Sequence, residues 1–379
     1  MTESDTAGHE GRRLPTPLRA LLVLFFLYVF LVGIGFLETG IAAAGAGFQA
    51  GLLESVSHPI SGLCAGILFT VLVQSSSVST STIVGMVGAG TLPLSLAVPM
   101  VMGANIGTTV TNTLASLGSI RRPVEFRRAF AAATMHDFFN LSAVAILLPL
   151  ELLTGFLQDT AGWLTEILRG REFNPAAPGR SPIRTAVKLP IDWVEGLIEP
   201  GPFLGTFLLL LGLALIYLAL SQITRNMRRL VAGGVERVMN RVIGGGGGLM
   251  GIAVGIGVTI AVQSSSITTS ILVPLAAAGV LTVHSAYPIT LGANVGTTVT
   301  ALIASLAVLR PEGLTIALVH TLFNLTALMI IYPVPRVRLI PVVLAERMAA
   351  LAGRRRSVVF GYSVGLFVVL PLIGVFVLQ

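Results

Sequence analysis

One motif occurs twice in the chain: Gln74-Ser75-Ser76-Ser77 recurs 189 residues later as Gln263-Ser264-Ser265-Ser266. Around these motifs, residues 74–118 and 263–307 align without a gap, and 23 of the 45 aligned positions are identical. Each motif is followed, at the same distance, by a Gly-Ala-Asn segment and a threonine-rich segment. Repetition of this length and order indicates that one structural unit has been duplicated.

The composition places this duplicated unit in a membrane. Of 379 residues, 54% are hydrophobic and only 11% are charged, whereas a soluble domain carries about 25% charged residues. Four apolar blocks have roughly the 20-residue length that crosses a bilayer; they span 18–36, 203–220, 314–332 and 357–378. The first block is predicted to be a retained helix, because no small-residue cleavage site ends it.

The arginines predict which loops face the cytoplasm. Eighteen of the 24 basic residues fall in four regions: the N-terminal tail up to Arg19, 121–128, 221–243 and 335–356. Segment 38–60 holds no basic residue, and segment 309–313 holds one. The positive-inside rule therefore places the four arginine-rich regions in the cytoplasm. This distribution accounts for the net charge of +7 without nucleic acid as a partner.

Loop orientation and chain parity together predict that the two repeats are inverted. With a cytoplasmic N-terminus, the first repeat begins outside the membrane and the second begins inside it. Segments 60–90 and 249–280 must each leave and return on one side, either as a re-entrant hairpin or as two thin spans. We therefore predict an all-α polytopic membrane protein with two inverted-topology repeats, re-entrant hairpins and broken helices, the plan of many secondary transporters.

The chain is predicted to divide into five parts. They are a cytoplasmic N-terminal tail at 1–17, a first transport repeat at 18–150, an extracellular loop at 151–202, a second inverted transport repeat at 203–334, and a cytoplasmic loop with the last transmembrane helix at 335–379. The predicted location is the cell membrane, with several crossings and a cytoplasmic N-terminus. Sequence leaves the oligomeric state open, and a homodimer is one arrangement compatible with it.

Polar residues inside the repeats indicate a lined cavity. The hydroxyl-rich run at 75–82 and its copy at 264–270 cannot all face lipid, because unsatisfied polar groups in hydrocarbon cost several kcal/mol each. Glycines on both sides of a central asparagine allow a broken helix in each repeat. They are Gly103 and Gly107 in the first repeat, and Gly292 and Gly296 in the second. A helix-packing seam is the alternative, but it does not require this set of polar residues twice in one order.

Both repeat cores lack permanent charge. Residues 62–118 and 244–309 contain no Asp, Glu, Lys or Arg. An anion bound there would meet hydroxyls and amides but no cationic side chain, and burying a bare charge is prohibitive. A co-bound cation supplies the missing charge, and Na⁺ suits a cage of hydroxyl, amide and carbonyl oxygens. The residues thus predict a cation-coupled carrier of a small polar solute, and the hydroxyls alone also fit a neutral one.

Several motifs together closely resemble the type II sodium–phosphate cotransporter family, over roughly residues 18–378. In the first half they are Gln74-Ser75-Ser76-Ser77, Gly103-Ala104-Asn105-Ile106-Gly107-Thr108, Glu125-Phe126-Arg127-Arg128-Ala129-Phe130 and His136-Asp137-Phe138-Phe139-Asn140. In the second half they are Gln263-Ser264-Ser265-Ser266, Tyr287-Pro288, Gly292-Ala293-Asn294-Val295-Gly296-Thr297-Thr298 and Tyr332-Pro333-Val334-Pro335. The resemblance implies inward transport of phosphate together with Na⁺, with no other cofactor, and a bacterial member by length.

The resemblance also implies the binding residues. Phosphate is expected between the two Gln-Ser-Ser-Ser motifs, at Ser75, Ser76, Ser77, Ser264, Ser265 and Ser266. The side-chain carbonyls of Asn105 and Asn294 can accept the hydrogen bond that the P–OH group of HPO₄²⁻ donates. One sodium site is expected at Gln263, Ser264, Thr297 and Thr300, and its first-repeat counterpart at Gln74, Ser75, Thr108 and Thr111.

Asp137 is predicted to hold an additional sodium ion. It lies in an apolar segment of the first repeat, and acids within membrane segments are functional by default. The plainer interpretation is a helix cap beside the arginine-rich loop. In the resembled family, electrogenic members carry an acid here and electroneutral members do not, so the resemblance implies net inward charge movement.

Two histidines occupy equivalent places in the repeats. His136 precedes Asn140 by four residues, and His320 precedes Asn324 by four. One helical turn puts each pair on the same face. Hydrogen bonds between packed helices are predicted for these histidines, in preference to metal or proton binding.

Three other functional classes compete with this interpretation. An enzyme is disfavoured, because duplicated serines without a repeated acid fit binding better than nucleophilic attack. The single Gly-x-Ser-x-Gly match, at 361–365, lies inside an apolar block and not at a strand-to-helix turn. A channel is the second class, which saturable sodium-dependent uptake would exclude. A sodium-coupled carrier of another small anion, such as sulfate or a dicarboxylate, is the third and the nearest alternative.

Overall fold

The computed structural model describes residues 15–45, 47, 57–169, 182–198, 201–244, 248–308 and 310–378. Regular secondary structure in these ranges is helical throughout. Six helical segments are long and apolar enough to cross a membrane: Thr16–Ala43, Leu94–Ser119, Pro123–Thr154, Phe203–Val231, Pro311–Ile331 and Ser357–Val377. The prediction of an all-α polytopic membrane protein is confirmed.

In the residues of the first repeat that the structure describes, there are six α-helices. They are α1 (Thr16–Ala43), α2 (Pro59–Val73), α3 (Ser76–Gly88), α4 (Leu94–Gly107), α5 (Val110–Ser116) and α6 (Pro123–Thr154). Helices α4 and α5 are separated by Thr108 and Thr109, directly after Gly107. Because α4 is continuous through Gly103 and Asn105, the interruption lies after the glycines and not around the asparagine as predicted.

The second repeat follows the same order of elements. Its helices are α9 (Pro202–Gly244), α10 (Gly248–Val262), α11 (Ser265–Ala277), α12 (Val283–Ala304) and α13 (Pro311–Ile331). Helix α12 runs without interruption through Gly292 and Gly296. The prediction of a broken helix at these two glycines is therefore wrong.

Helices also occupy regions that the sequence analysis treated as loops. The expected extracellular loop contains α7 (Phe156–Arg169) and α8 (Pro182–Glu195), and α9 continues through the arginines at 225–241. The region at 335–356 is mostly helix α14 (Pro335–Arg354). The chain then ends with α15 (Ser357–Val364), a π-helical turn at 365–369 and α16 (Leu370–Val377). An amphipathic face that packs on the bundle explains these helices: α14, for example, buries Val342, Ala345 and Ala349.

Segments 60–90 and 249–280, for which the sequence allows either a re-entrant hairpin or two thin spans, each contain a pair of short helices. Helices α2 and α10 have 15 residues each, and α3 and α11 have 13 residues each. At 1.5 Å per residue these lengths are about 22 and 20 Å, less than the roughly 30 Å of a bilayer's hydrocarbon core. Each pair is joined by two residues, a glutamine and a serine, at residues 74–75 and 263–264.

Glycines bring α2 and α4 into backbone contact. A Cβ atom on Gly66 would collide with the carbonyl oxygen of Met100, and one on Gly103 would collide with that of Leu63. Side chains larger than hydrogen are therefore excluded at both positions. The close approach fixes the position of α4 against the first helix of the hairpin.

The second repeat uses the equivalent glycines in the same way. A Cβ atom on Gly255 would meet the carbonyl oxygen of Ile289, and one on Gly292 would meet that of Ile252. In this repeat the glycines therefore serve the packing of α10 on α12 and leave the helix unbroken.

Helices α1 and α9 pack against each other in antiparallel orientation. Gly33 faces Gly212, and Gly40 faces Gly205, so residue numbers rise along one helix as they fall along the other.

The contacts between the repeats are reciprocal: α3 packs on α12 and α13, whereas α11 packs on α5 and α6. The arrangement brings each hairpin against the polar helices of the other repeat.

Candidate functional site

The first Gln-Ser-Ser-Ser motif forms a helix-to-helix turn, here named the first tip (residues 74–77). Gln74 ends α2 in the left-handed region, with φ 56°. Ser75 is extended and begins α3 as its N-cap, since its Oγ accepts a hydrogen bond from the Val78 amide at 3.3 Å. The serine cap satisfies one of the amides that a helix start leaves without an intrahelical partner.

The second tip (residues 263–266) has the same geometry. Gln263 has φ 57°, and the Oγ of Ser264 accepts a hydrogen bond from the Ile267 amide at 3.3 Å. Gln263 and Gln74 are the two non-glycine residues with positive φ in the part of the chain that the structure describes. Such strain costs of order 1 kcal/mol and concentrates at functional sites, so its location in the duplicated motif marks both tips as candidates.

Each tip glutamine contacts a threonine of its own repeat. The hydroxyl of Thr111 donates to Oε1 of Gln74 at 3.4 Å, and that of Thr300 donates to Oε1 of Gln263 at 3.1 Å. The amide nitrogens of the glutamines donate backward to carbonyls of α2 and α10, at 2.6 and 2.7 Å. These bonds fix the side-chain orientation, so each Oε1 atom lies beside a hydroxyl oxygen.

Two further predicted sodium ligands, Thr108 and Thr297, lie three residues before these threonines. Thr108 is buried, and its hydroxyl donates to the Ala104 carbonyl at 2.9 Å. Thr297 is also buried, at the equivalent place of the second repeat. A spacing of three residues puts Thr297 and Thr300 on the same face of α12.

The six predicted phosphate serines differ in exposure. Ser76, Ser77 and Ser265 are buried, and Ser75, Ser264 and Ser266 are half-buried. All six lie at the first turns of α3 and α11, where backbone amides and the helix dipole favour an anion. In the described part of the chain, no hydrogen bond joins one tip to the other. Their joint use by one phosphate therefore stays a prediction.

The two central asparagines lie between the repeats. Oδ1 of Asn294 is 2.6 Å from Nε2 of His136, and Oδ1 of Asn105 is 3.2 Å from Nε2 of His320. Each histidine thus bonds the asparagine of the other repeat, which confirms the predicted hydrogen bonds between packed helices. Asn105 and Asn294 are both buried, and their assignment as phosphate ligands stays a prediction.

These contacts form a network, here named the His–Asn network, in which one repeat makes a hydrogen bond that the other lacks. Its members are Asn105, His136, Asn140, Asn294, His320 and Asn324. Nδ2 of Asn294 donates to Oδ1 of Asn140 at 2.6 Å. The equivalent atoms, Nδ2 of Asn105 and Oδ1 of Asn324, are buried without a hydrogen-bond partner. The side-chain amide of Asn140 donates to the Asn105 carbonyl at 2.8 Å, whereas that of Asn324 donates to the His320 carbonyl of its own helix at 2.9 Å. The reciprocal pattern therefore fails at these asparagines, and the two repeats differ in conformation at their interface.

Asn112 is a contact residue that the sequence analysis missed. Its Oδ1 accepts hydrogen bonds from Thr269 at 3.0 Å and Ser270 at 3.1 Å, which links α5 to α11. The second repeat has Ala301 at the equivalent position. Because the duplication does not repeat this asparagine, comparison of the two copies gives no signal for it.

Asp137 is fully buried in α6. Its Oδ2 accepts a hydrogen bond from the Tyr362 hydroxyl at 2.7 Å. The second repeat has Thr321 at the equivalent position, so the acid belongs to one half of the duplication.

The described residues include no group of three or more His, Cys, Asp or Glu side chains that could hold a metal ion. The tips instead offer hydroxyl and amide oxygens, which are ligands suited to a hard cation. A duplicated helical bundle with two strained polar tips, each at helix N-termini within short membrane helices, defines a polytopic protein of the secondary-transporter class.

The comparisons with known proteins give the family. A family model described as Na⁺/Pi-cotransporter matches residues 29–158 and 208–341, and the chain belongs to this family. Sodium-dependent phosphate transport protein 2A of Ovis aries is 34% identical over 94% of this chain and 67% of its own length. Sodium-dependent phosphate transport protein 2B of Homo sapiens is 32% identical over 93% of this chain and 64% of its own length. The chain thus spans about two thirds of these relatives, and no solved structure matches it.

Proposed function

We propose that this chain is a secondary transporter that imports inorganic phosphate together with Na⁺ by alternating access, with net charge movement. Its family and the names of its relatives give the substrates. The observation that carries the proposal is the duplicated glutamine–threonine contact at the tips, at Gln74–Thr111 and Gln263–Thr300. In each contact, two neutral oxygens are already held side by side, as a bound sodium ion requires.

Phosphate is proposed to bind at the serines of the two tips, residues 75–77 and 264–266. Helix N-termini and serine hydroxyls donate hydrogen bonds to an anion without adding a full positive charge. Sodium at the adjacent glutamine–threonine contacts would supply that charge. The coupling of the two substrates then has an electrostatic origin, because each ion lowers the cost of burying the other.

The inverted relation of the repeats is supported by the packing of α1 and α9. These helices have equivalent places in the element order and run antiparallel, with Gly33 on Gly212 and Gly40 on Gly205. If both cross the membrane, a two-fold axis in the membrane plane relates them, as in inverted-topology transporters. We accordingly propose an N-terminus in the cytoplasm of a cell-membrane protein and re-entrant hairpins at α2–α3 and α10–α11.

Alternating access is supported by the one-sided His–Asn network. The bond from Asn294 to Asn140 is present, whereas its counterpart between Asn105 and Asn324 is absent. Two inverted repeats in different conformations make a site open to one side, and exchange of their conformations opens it to the other. The five-part division of the chain rests on the apolar spans and the loop charges of the sequence and stays a proposal, and a homodimer stays a prediction.

Anion selectivity in proteoliposomes tests the proposed substrate. The purified protein is expected to take up radiolabelled phosphate under an inward sodium gradient and to lose this uptake when potassium replaces sodium. Unlabelled phosphate is expected to compete, whereas sulfate and a dicarboxylate such as succinate are not. Faster sodium-dependent uptake of sulfate or succinate than of phosphate would instead assign the chain to the alternative anion.

A further inference from the structure

The last helical segment of the chain reaches a buried acid more than two hundred residues away. Tyr362, in α15, donates its hydroxyl hydrogen to Oδ2 of Asp137 at 2.7 Å. Asp137 has no exposed surface, and Tyr362 is half-buried. A hydrogen bond to a buried carboxylate is among the stronger ones in proteins, so this contact holds the carboxylate orientation.

The second oxygen of the same carboxylate accepts no hydrogen bond. Oδ1 of Asp137 is buried and has no hydrogen-bond partner, and the same is true of the Thr113 hydroxyl. The hydroxyls of Thr109 and Thr113 nevertheless lie close enough to interact with the Asp137 carboxyl group. A buried polar oxygen without a partner requires an explanation, and a cation between these oxygens provides one.

Aromatic packing fixes the position of Tyr362. Its ring contacts Phe130 and Phe138 of α6 at centroid distances of 6.2 and 6.1 Å, and Phe367 at 6.3 Å. Phe367 belongs to the π-helical turn at 365–369, which starts three residues after Tyr362. Short π-helical turns inside α-helices occur frequently at functional sites. The hydroxyl therefore projects from a rigid aromatic cluster.

We propose that Tyr362 is a positioning residue for a sodium site at Asp137. By holding Oδ2, it fixes the orientation of the carboxylate and leaves Oδ1 available to an ion, which the neighbouring hydroxyls of Thr109 and Thr113 would also coordinate. The inference rests on the proposed function, in which Asp137 carries an additional sodium ion, and extends it to a residue outside both segments matched by the family model. Docking of the last helical segment then becomes a condition for sodium binding at this site.

Replacement of one hydroxyl tests the proposal, and the chain offers a matched control. Tyr362→Phe keeps the ring and removes the bond to Asp137. Tyr287→Phe removes a tyrosine hydroxyl that is buried and lacks a hydrogen-bond partner. Both variants and the wild type are reconstituted at full length, and phosphate-evoked current is measured against sodium concentration. Melting temperature in sodium-free buffer reports any general loss of stability.

Tyr362→Phe is expected to raise the half-saturating sodium concentration on the order of tenfold, the usual effect of losing a group that orients a metal ligand. The half-saturating phosphate concentration at saturating sodium is expected to stay near wild type, and Tyr287→Phe is expected to leave both values unchanged. In uptake measurements on an Asp137→Gly background, Tyr362→Phe is expected to cause no further change in sodium dependence.

Two results would overturn the role of Tyr362 while leaving the Asp137 site intact. In the first, Tyr362→Phe has the same sodium dependence as the control Tyr287→Phe, although Asp137→Gly changes the sodium dependence. The other is a Tyr362→Phe shift that persists in the Asp137→Gly background, which shows an effect that does not pass through the carboxylate. An Asp137→Gly variant with wild-type current and sodium dependence would contradict the sodium site itself, and the Tyr362 proposal with it.

Discussion

The two tip glutamines show how single residues link backbone geometry to ion chemistry. Gln74 and Gln263 adopt a left-handed backbone conformation that glycine would adopt at lower cost. The glutamine side chain is nevertheless present in both copies, and its oxygen contacts a threonine 37 residues later in each. The backbone strain at this position is therefore retained together with a glutamine side chain whose oxygen can act as an ion ligand.

Loss of the Thr300 hydroxyl is expected to weaken sodium binding. Thr300→Val removes the contact to Gln263 and one of the oxygens proposed to coordinate sodium, so the half-saturating sodium concentration should rise about tenfold. Thr290→Val is the control, because Thr290 is buried in the same helix and its hydroxyl donates to the backbone carbonyl of Ala286. Equal sodium dependence of the two variants would contradict a ligand role for Thr300.

Removal of the Asp137 carboxyl group is expected to separate transport from current. Asp137→Gly should retain sodium-dependent phosphate uptake and lose most of the phosphate-evoked current in a voltage-clamped membrane, since one positive charge no longer accompanies each cycle. Thr321→Gly makes the equivalent change in the second repeat, where no acid is present, and should keep the current. Wild-type current in Asp137→Gly would refute the additional sodium site.

The predicted site residues are those that the duplication repeats, together with Asp137, which it does not repeat. The resemblance of the motifs to the type II family implied Thr111 and Thr300 as sodium ligands, and the structure places each of them beside its tip glutamine. Tyr362 and Asn112 have no repeated counterpart in a similar contact, and each bonds a residue more than 150 positions away. Only tertiary packing brings such pairs together.

At the scale of helices, glycine contacts determine how each hairpin sits in its repeat. Gly66 and Gly103 in the first repeat have equivalents in Gly255 and Gly292, and all four face a backbone carbonyl at a distance that excludes a side chain. Close backbone approach through small residues is a common way to pack membrane helices. The glycines around the asparagines predicted helix breaks in both repeats, but close packing is their shared role.

A single methyl group in this contact is expected to destabilise the protein. Gly255→Ala places a Cβ atom against the Ile289 carbonyl oxygen, and overpacking of this kind costs about 1–3 kcal/mol. Gly257→Ala, in the same helix, has no neighbouring atom within 4 Å and should be neutral or stabilising. Melting temperatures of the two purified variants make the comparison, and an equal effect would disprove the packing role of Gly255.

The helices missed by sequence analysis share one property. In α7, α8, α14 and the distal half of α9, charged residues are frequent enough that a search for apolar spans passes over them. In α7 and α8 the buried faces are narrow stripes, such as Leu157 and Ala161 in α7 or Val187 and Ile191 in α8. Helical periodicity of the apolar residues, and not mean hydropathy, is the signal that predicts them.

For the whole molecule, the proposed inversion can be tested at one pair of equivalent positions. Ser95 and His284 are 189 residues apart and both are exposed, one residue into α4 and α12 respectively. Inversion places them on opposite sides of the membrane, whereas parallel repeats place them on the same side. Cys64 is the single native cysteine, so Cys64→Ala provides a cysteine-free background.

Labelling of Ser95→Cys and His284→Cys with a membrane-impermeant maleimide gives the result directly. In intact cells, the cysteine at position 95 is expected to react and that at position 284 is expected to be protected until the cells are opened. Reaction of both in intact cells would refute inversion. The reverse pattern would retain inversion and overturn the proposed cytoplasmic N-terminus.

The overall architecture was largely accessible from sequence because duplication and loop charge are long-range signals carried by local residues. The all-α membrane class follows from the apolar blocks and the low charge content, the repeat boundaries stay a prediction, and the polar tips follow from the two copies of residues 74–118. The His–Asn network and its missing bond do not follow from these copies, because each repeat contributes the same Asn, His and Asn residues and the difference between them is one of conformation. An asymmetry of this kind is a property of the folded molecule.

Uphill movement of phosphate is the measurement that tests sodium coupling most directly. Proteoliposomes are prepared with the same phosphate concentration inside and outside, and only a sodium gradient is imposed. Net accumulation of phosphate inside is expected, which collapses when the sodium gradient is dissipated and is absent with potassium. Phosphate that stays at its initial distribution under the sodium gradient, in liposomes shown to contain folded protein, would contradict sodium-coupled transport.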